Sequence, residues 1–236
     1  MALANYTDLL TAINSSAGWL HRADLGTIAP DWVTLAEASM NYGGVLPNGT
    51  VVDGLRTGAQ ETIGTVTTTA NTQTIALPSN FLQIRKIWYT LSNVRFELIE
   101  RPPTPMGIQE LSNVYAPPTT FYVQGSSLYL IPIPDQAYTI TIDYYTTIGP
   151  LATSSTNWLM TQSPMTYLAG SIVQGALWMG TKFAMEGAQP WISAFVSAIE
   201  GVRRADIKKR MGRSVLRSEA AAFQNRPFNI LTGDLI

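Results

Sequence analysis

The side chains that carry most covalent and metal chemistry are almost missing from this sequence: its 236 residues include no cysteine and one histidine, His21. Thiol nucleophiles, thiolate or paired-imidazole metal sites and every disulfide framework are thereby excluded. His21 lies in Trp19-Leu20-His21-Arg22-Ala23-Asp24, where pairing with Asp24 would make it a proton carrier. With no second His or Cys beside it, capping or structural hydrogen bonding is the stronger reading. Sixteen Asp and Glu leave carboxylate chemistry open, but no EF-hand-like spacing concentrates them. The nearest pair, Glu97 and Glu100, stands three apart in a strand-like segment, which puts the two on opposite faces and disfavours a glycosidase-type arrangement. GxxxxGK[ST], GxGxxG and GxSxG are all absent. The expectation is a protein without catalytic residue, metal or cofactor.

The remaining chemistry is that of binding. Residues 1–200 hold 7 basic and 13 acidic side chains, net −6, and residues 201–236 hold 8 and 3, net +5. Within the basic end, Arg203, Arg204, Lys208, Lys209, Arg210, Arg213 and Arg217 face only Asp206, and Phe223, Phe228 and Ile230 follow as apolar anchors. This set suits docking to a protein by charge complementarity and a few buried anchors. The first five fall at steps that encircle a helix axis and form no single face. A solvated helix end and phosphate clamping are the competing readings. Few aromatics interleave with the cations, a poor match to single-strand stacking. Tyr122, Tyr129, Tyr144 and Tyr145 form either a sugar-binding platform or, as is commoner in sheets, core and cross-strand pairs.

Composition agrees with an assembly component. Hydrophobic residues make up 46% and charged residues 13%, about half the charged share usual for soluble domains, so much surface is expected to be covered by partners. Met1 to Tyr6 lacks the features of a signal peptide, which predicts assembly in the cytoplasm. The segment 165–181 is uncharged but rich in Thr, Gly and Ser, and reads as a buried soluble helix, with no membrane insertion expected.

The elements that position these residues read as α+β. Thr7 is placed as the cap of a helix over about 7–22 with Leu9, Leu10 and Ile13 on one side. Pro30-Asp31 reads as the first turn of a second helix, with Trp32, Leu35, Ala36 and Met40 inward and an end near Gly43-Gly44. Asn48-Gly49 marks a tight hairpin or an exposed excursion, taken as a loop. Eight threonines between Thr57 and Ala76 favour strands, starting near Thr65. Through Tyr145 the pattern is that of antiparallel strands, with a turn at Gln124-Gly125-Ser126-Ser127, Tyr138, Ile140, Ile142 and Tyr144 on one side, and Pro102–Pro105 and Pro132–Asp135 outside central strands. A β-sandwich or barrel is expected.

Ser163-Pro164 opens a helix with Leu168, Ile172, Ala176, Met179 and Phe183 in one stripe, extended sideways by Val173 and Leu177. Glu186-Gly187 breaks it, and Pro190 restarts a second helix with Trp191, Phe195, Ile199 and Val202 inward. The predicted organisation is a helical domain of 1–56 with 157–211, including a long antiparallel hairpin at 164–211, a central β domain of 57–156, and an extended tail at 212–236.

Several segments resemble, in order, the head-to-tail adaptor proteins of short-tailed bacteriophages. They are Trp19-Leu20-His21-Arg22 with Asp24-Leu25, Ile28-Ala29-Pro30-Asp31-Trp32 with Leu35-Ala36-Glu37, Leu77-Pro78-Ser79-Asn80-Phe81-Leu82, Gly125 with Leu128, Pro132-Ile133-Pro134, Tyr144-Tyr145, and Thr156-Asn157-Trp158-Leu159 before Pro164 and Tyr167-Leu168. The resemblance spans roughly residues 3–205. It implies a virion protein forming a homo-oligomeric ring of about twelve copies under the portal, with portal protein, tail nozzle and tail fibres as partners and non-specific contact with packaged DNA. Residues 41–54 depart from the pattern as an insertion. A receptor- or glycan-binding tail protein is the alternative. A DNA-binding protein is a third reading and predicts affinity falling by about 0.9 log units per log unit of salt for each phosphate neutralised.

Overall fold

A computed structural model describes residues 3–16, 25–101, 114–180 and 182–211. The chain divides into two units, one formed by residues up to Leu55 and from Pro150 onward, the other by Arg56–Gly149.

In the first unit, α1 (Tyr6–Ser16) begins one residue before the expected cap. Asn5, not Thr7, caps it: the Asn5 Oδ1 accepts the Asp8 N–H at 2.9 Å. Leu9 and Ile13 are fully buried; the expected continuation past Ser16 lies outside the described residues. Helix α2 (Leu25–Tyr42) starts well before Pro30, which sits inside it. One lost backbone bond costs about 3 kcal/mol, less than burying Ala29, Trp32, Val33, Ala36 and Met40 on one stripe returns at about 1.5–3 kcal/mol per large side chain. Leu35, expected inward, falls off that stripe and is 50% exposed.

Gly43 turns the chain out of α2 with φ +79°, and a Cβ there would lie 2.5 Å from the Val52 carbonyl oxygen, so only glycine fits. The segment read as a loop is in fact a hairpin: β1 (Gly43–Val45) pairs antiparallel with β2 (Val51–Asp53), Val45 opposite Val51. Its turn closes through the Gly49 N–H donating to the Leu46 carbonyl at 2.9 Å.

Two short helices, α3 (Leu151–Ser154) and α4 (Trp158–Gln162), lead into α5 (Pro164–Met179), which has its proline at the start of the first turn. Residues Thr166–Val173 of α5 are all buried, so it packs on more than one side. It stops at Gly180, a left-handed C-cap with φ +63°. Helix α6 (Lys182–Met211) then runs through Glu186, Gly187 and Pro190. The break therefore lies at Gly180, not at Glu186-Gly187, and Phe183 belongs to α6. Ala188, Ile192, Phe195, Ile199 and Val202 face inward, with Ile192 in the place expected of Trp191, and Leu177 of α5 is 41% exposed. Phe195 packs against α5 at Gly170, where a Cβ would approach its ring to 2.8 Å.

The second unit is built from two four-stranded open sheets, ordered β3-β10-β5-β6 and β4-β9-β8-β7. Their strands are β3 (Glu61–Thr67), β4 (Thr74–Ala76), β5 (Phe81–Leu91), β6 (Val94–Glu97), β7 (Ile99–Glu100), β8 (Thr120–Gln124), β9 (Ser127–Ile131) and β10 (Thr139–Thr146). Pairing is antiparallel except for β7 with β8. The sheets keep edge strands, so the barrel expectation is corrected: there is no closed barrel. Strand β3 begins at Glu61, earlier than Thr65, because Glu61 and Thr62 find partners in Tyr145 and Tyr144 of β10. Tyr138, Ile140, Ile142 and Tyr144 are buried in strict alternation. They join Ile87 and Tyr89 and, from the other sheet, Phe121, Leu128 and Leu130 in one core. The β8–β9 turn has Gly125 at φ +61°, and Pro132–Asp135 lies between β9 and β10. Pro102–Pro105 lies outside the described residues.

Candidate assembly interface

The basic residues singled out in the sequence occupy the last two turns of α6 and beyond. Arg203 is held on both sides, donating to the Glu200 carboxylate and to the Asp53 carbonyl of β2. Arg210 donates to the Asp206 carboxylate at 2.8 Å. The cations therefore face Glu200, three residues before Arg203 on the same helix, as well as Asp206. Arg204, Lys208 and Lys209 are exposed, with no ion-pair partner among the described residues. Arg213, Arg217, Phe223, Phe228 and Ile230 lie outside the described residues, as does His21.

Apolar side chains accompany the unpaired cations. On α6, Ile207 is 52% and Met211 56% exposed, and on the hairpin Val45 and Val51 are each 69% exposed. Val45 and Val51 form a β-branched cross-strand pair exposed on a two-stranded ribbon. Val52, on the opposite side of the ribbon, is buried at 5%.

In the same unit a buried polar network links α2, α3, α4 and α5. The Glu37 Oε1 accepts the Leu151 N–H at 2.8 Å, the Tyr167 hydroxyl donates to the Glu37 carboxylate, and the Asn157 amide donates to the Tyr167 oxygen at 2.6 Å. Asn157 also caps α4 by accepting the Met160 N–H. Burial raises the Glu37 pKa, while its hydrogen bonds from Leu151 and Tyr167 act the other way and are smaller. Burial, followed by the charges of Glu37 and Asp31, raises the Tyr6 phenol. Glu37 sits on the apolar stripe of α2 beside Trp32, Ala36 and Met40, and a lone charge on such a stripe was the available signal for it.

The tyrosines divide between core and sheet surface. Tyr122 is buried and stacks on Tyr129 across the strands at 4.8 Å, and Tyr144 is buried against Phe81 at 5.9 Å. Tyr145 lies under the Arg85 guanidinium, which also bridges Glu61 and Asp143. Glu97 and Glu100 fall on separate strands, β6 and β7, and are exposed. Among the described residues no His, Asp and Glu group suited to a metal ion occurs, and no helix is long and apolar enough to cross a membrane.

The family model described as SU10 adaptor protein matches residues 4–218. No curated protein matches the chain.

Proposed function

Because the chain belongs to the SU10 adaptor protein family, a family of phage structural adaptors and hence of virion components, we propose that it is the head-to-tail adaptor. It forms a homo-oligomeric ring of about twelve copies under the portal and connects the capsid to the tail nozzle and fibres, with non-specific contact to packaged DNA. It assembles in the host cytoplasm, and its chemistry is interface formation, not catalysis.

The observation that carries docking is the end of α6. Arg204, Lys208 and Lys209, with no ion-pair partner among the described residues, stand beside exposed Ile207 and Met211, a combination of charge and apolar area suited to a protein surface. Together with Arg203, Arg210, Arg213, Arg217, Phe223, Phe228 and Ile230 they form the portal-docking set. The packing of Phe195 against Gly170 supports reading α5 and α6 as an antiparallel hairpin. The core shared by the two sheets supports a β-sandwich. The working domains are 1–56 with 157–211, 57–156, and a C-terminal tail at 212–236. Burial of Tyr122 and Tyr144 disfavours the glycan-binding alternative, which requires an accessible aromatic face.

Deletion of residues 212–236 tests the tail. The truncated chain is expected to keep its helical and β signals by circular dichroism and its unfolding transition, and to lose the ability to decorate portal rings. Decoration by the truncated chain would remove the tail from the docking set.

A further inference from the structure

A groove of about 540 Å³ opens along the outer side of α6, between the helix and the tip of the β1–β2 hairpin. Val196 contributes apolar surface above the buried Ile192, Asn48 and Thr50 form the hairpin wall, and Glu200 and Arg204 stand on the helix side. Gly201 also lines it, and a Cβ built there meets no atom within 4 Å, so the space above this turn is open. The hairpin wall belongs to the segment that departs from the adaptor family pattern in sequence.

Ion pairing within the helix selects one face among these cations. The five cations from Arg203 to Arg210 encircle the axis of α6, but Arg203 and Arg210 are taken up by Glu200 and Asp206. Of those left, Arg204 and Lys208 are four apart and share one side with Ile207 and Met211, at positions i, i+3, i+4 and i+7. The groove thus continues into a strip that alternates cations without an ion-pair partner among the described residues with exposed apolar side chains.

We propose that the groove and this strip are the docking surface for an acidic segment of a protein partner. An apolar side chain of the partner seats in the groove, and its carboxylates meet Arg204 and Lys208. The proposal deepens the adaptor reading and rests on it for the existence of a protein partner. Charge complementarity fixes the sign of the segment. The interleaved Ile207 and Met211 favour protein over nucleic acid, because phosphates gain nothing from apolar area beside the cations.

The test uses the full chain and a fluorescein-labelled amphipathic helix of about 14 residues, with glutamates four apart beside a leucine stripe, read by anisotropy. The glutamate peptide is expected to bind, and its glutamine counterpart to bind roughly tenfold more weakly. Arg204→Ala with Lys208→Ala, and separately Gly201→Trp, are each expected to lose roughly tenfold in affinity. Gly201→Trp fills open space and exchanges glycine for a better helix former, so its unfolding temperature is expected to match or exceed that of the parent, which separates blocked docking from misfolding. The proposal is overturned by any of four results: no binding to the parent chain, equal binding of the glutamine peptide, unchanged binding by Gly201→Trp, or a DNA duplex of about 20 base pairs bound as tightly as the glutamate peptide. Portal decoration is measured on the same preparations. A chain that decorates portal rings and ignores the peptide overturns the groove alone; one that binds the peptide and no portal ring overturns the adaptor reading alone.

Discussion

Glu37 shows how one residue holds several elements together. Its carboxylate satisfies the buried Leu151 N–H and receives the Tyr167 hydroxyl, so Glu37→Ala strands a buried donor and is expected to cost about 1–3 kcal/mol in chemical denaturation. Burial raises its pKa in the folded state above the ordinary value of 4.5. A raised carboxyl favours folding most when protonated, so its contribution is fullest below the unfolded pKa and declines as pH rises through the folded one. The unfolding temperature of the parent minus that of Glu37→Gln should therefore fall as pH rises above about 4.5; a constant difference would show that Glu37 titrates normally. Among the cations, Arg203 ties α6 to β2 through the Asp53 carbonyl and Arg204 touches no such partner. Arg203→Ala is expected to destabilise by about 1 kcal/mol, and Arg204→Ala by no more than about 0.5 kcal/mol. Equal losses would contradict that division between structural and docking cations.

At the scale of elements, the helices pack through contacts that tolerate no added atom. A Cβ at Gly175 of α5 would come within 2.9 Å of the Trp32 ring, which is fully buried on α2. Overpacking there costs about 1–3 kcal/mol against about 1 kcal/mol gained by replacing glycine with alanine in a helix. Gly175→Ala is therefore expected to lower the unfolding temperature, and a higher one would mean that α2 and α5 yield easily. The sequence announces elements whose signals are local: Pro164 at the start of α5, the alternation from Tyr138 to Tyr144, and the Gly125 turn. It misplaces elements decided by distant partners. Helix α2 runs past Pro30 because its apolar stripe has a core to face, and α6 runs past Gly187 and Pro190 for the same reason. Asn48-Gly49 offers the β1–β2 hairpin as one of two readings, and its strands of three residues each are too short for a period to decide between them. The pairing of Arg203 with Glu200 and of Arg210 with Asp206 is local, at spacings of three and four on one helix, whereas the bond from Arg203 to the Asp53 carbonyl is legible only in the folded chain.

At the scale of the molecule, the basic end of the chain and the scarcity of charge elsewhere agree with the proposal of a subunit whose surface is completed by others. Net charge passes from −6 over residues 1–200 to +5 over 201–236, and such asymmetry speeds and orients association with an acidic partner. Association through this end should weaken as salt is raised, by screening over about 10 Å at 0.1 M, and insensitivity to salt would place the contact on apolar surface alone. Rings are expected to wait for the portal, since a ring closed beforehand would compete with ordered assembly. The most direct measurement is mass photometry with negative-stain imaging of the purified chain, alone over a range of concentration and mixed with portal rings from the same source. Monomers that build a defined ring on the portal are the predicted result. Monomers that leave portal rings bare, or stable rings formed in dilute solution without a portal, would contradict it.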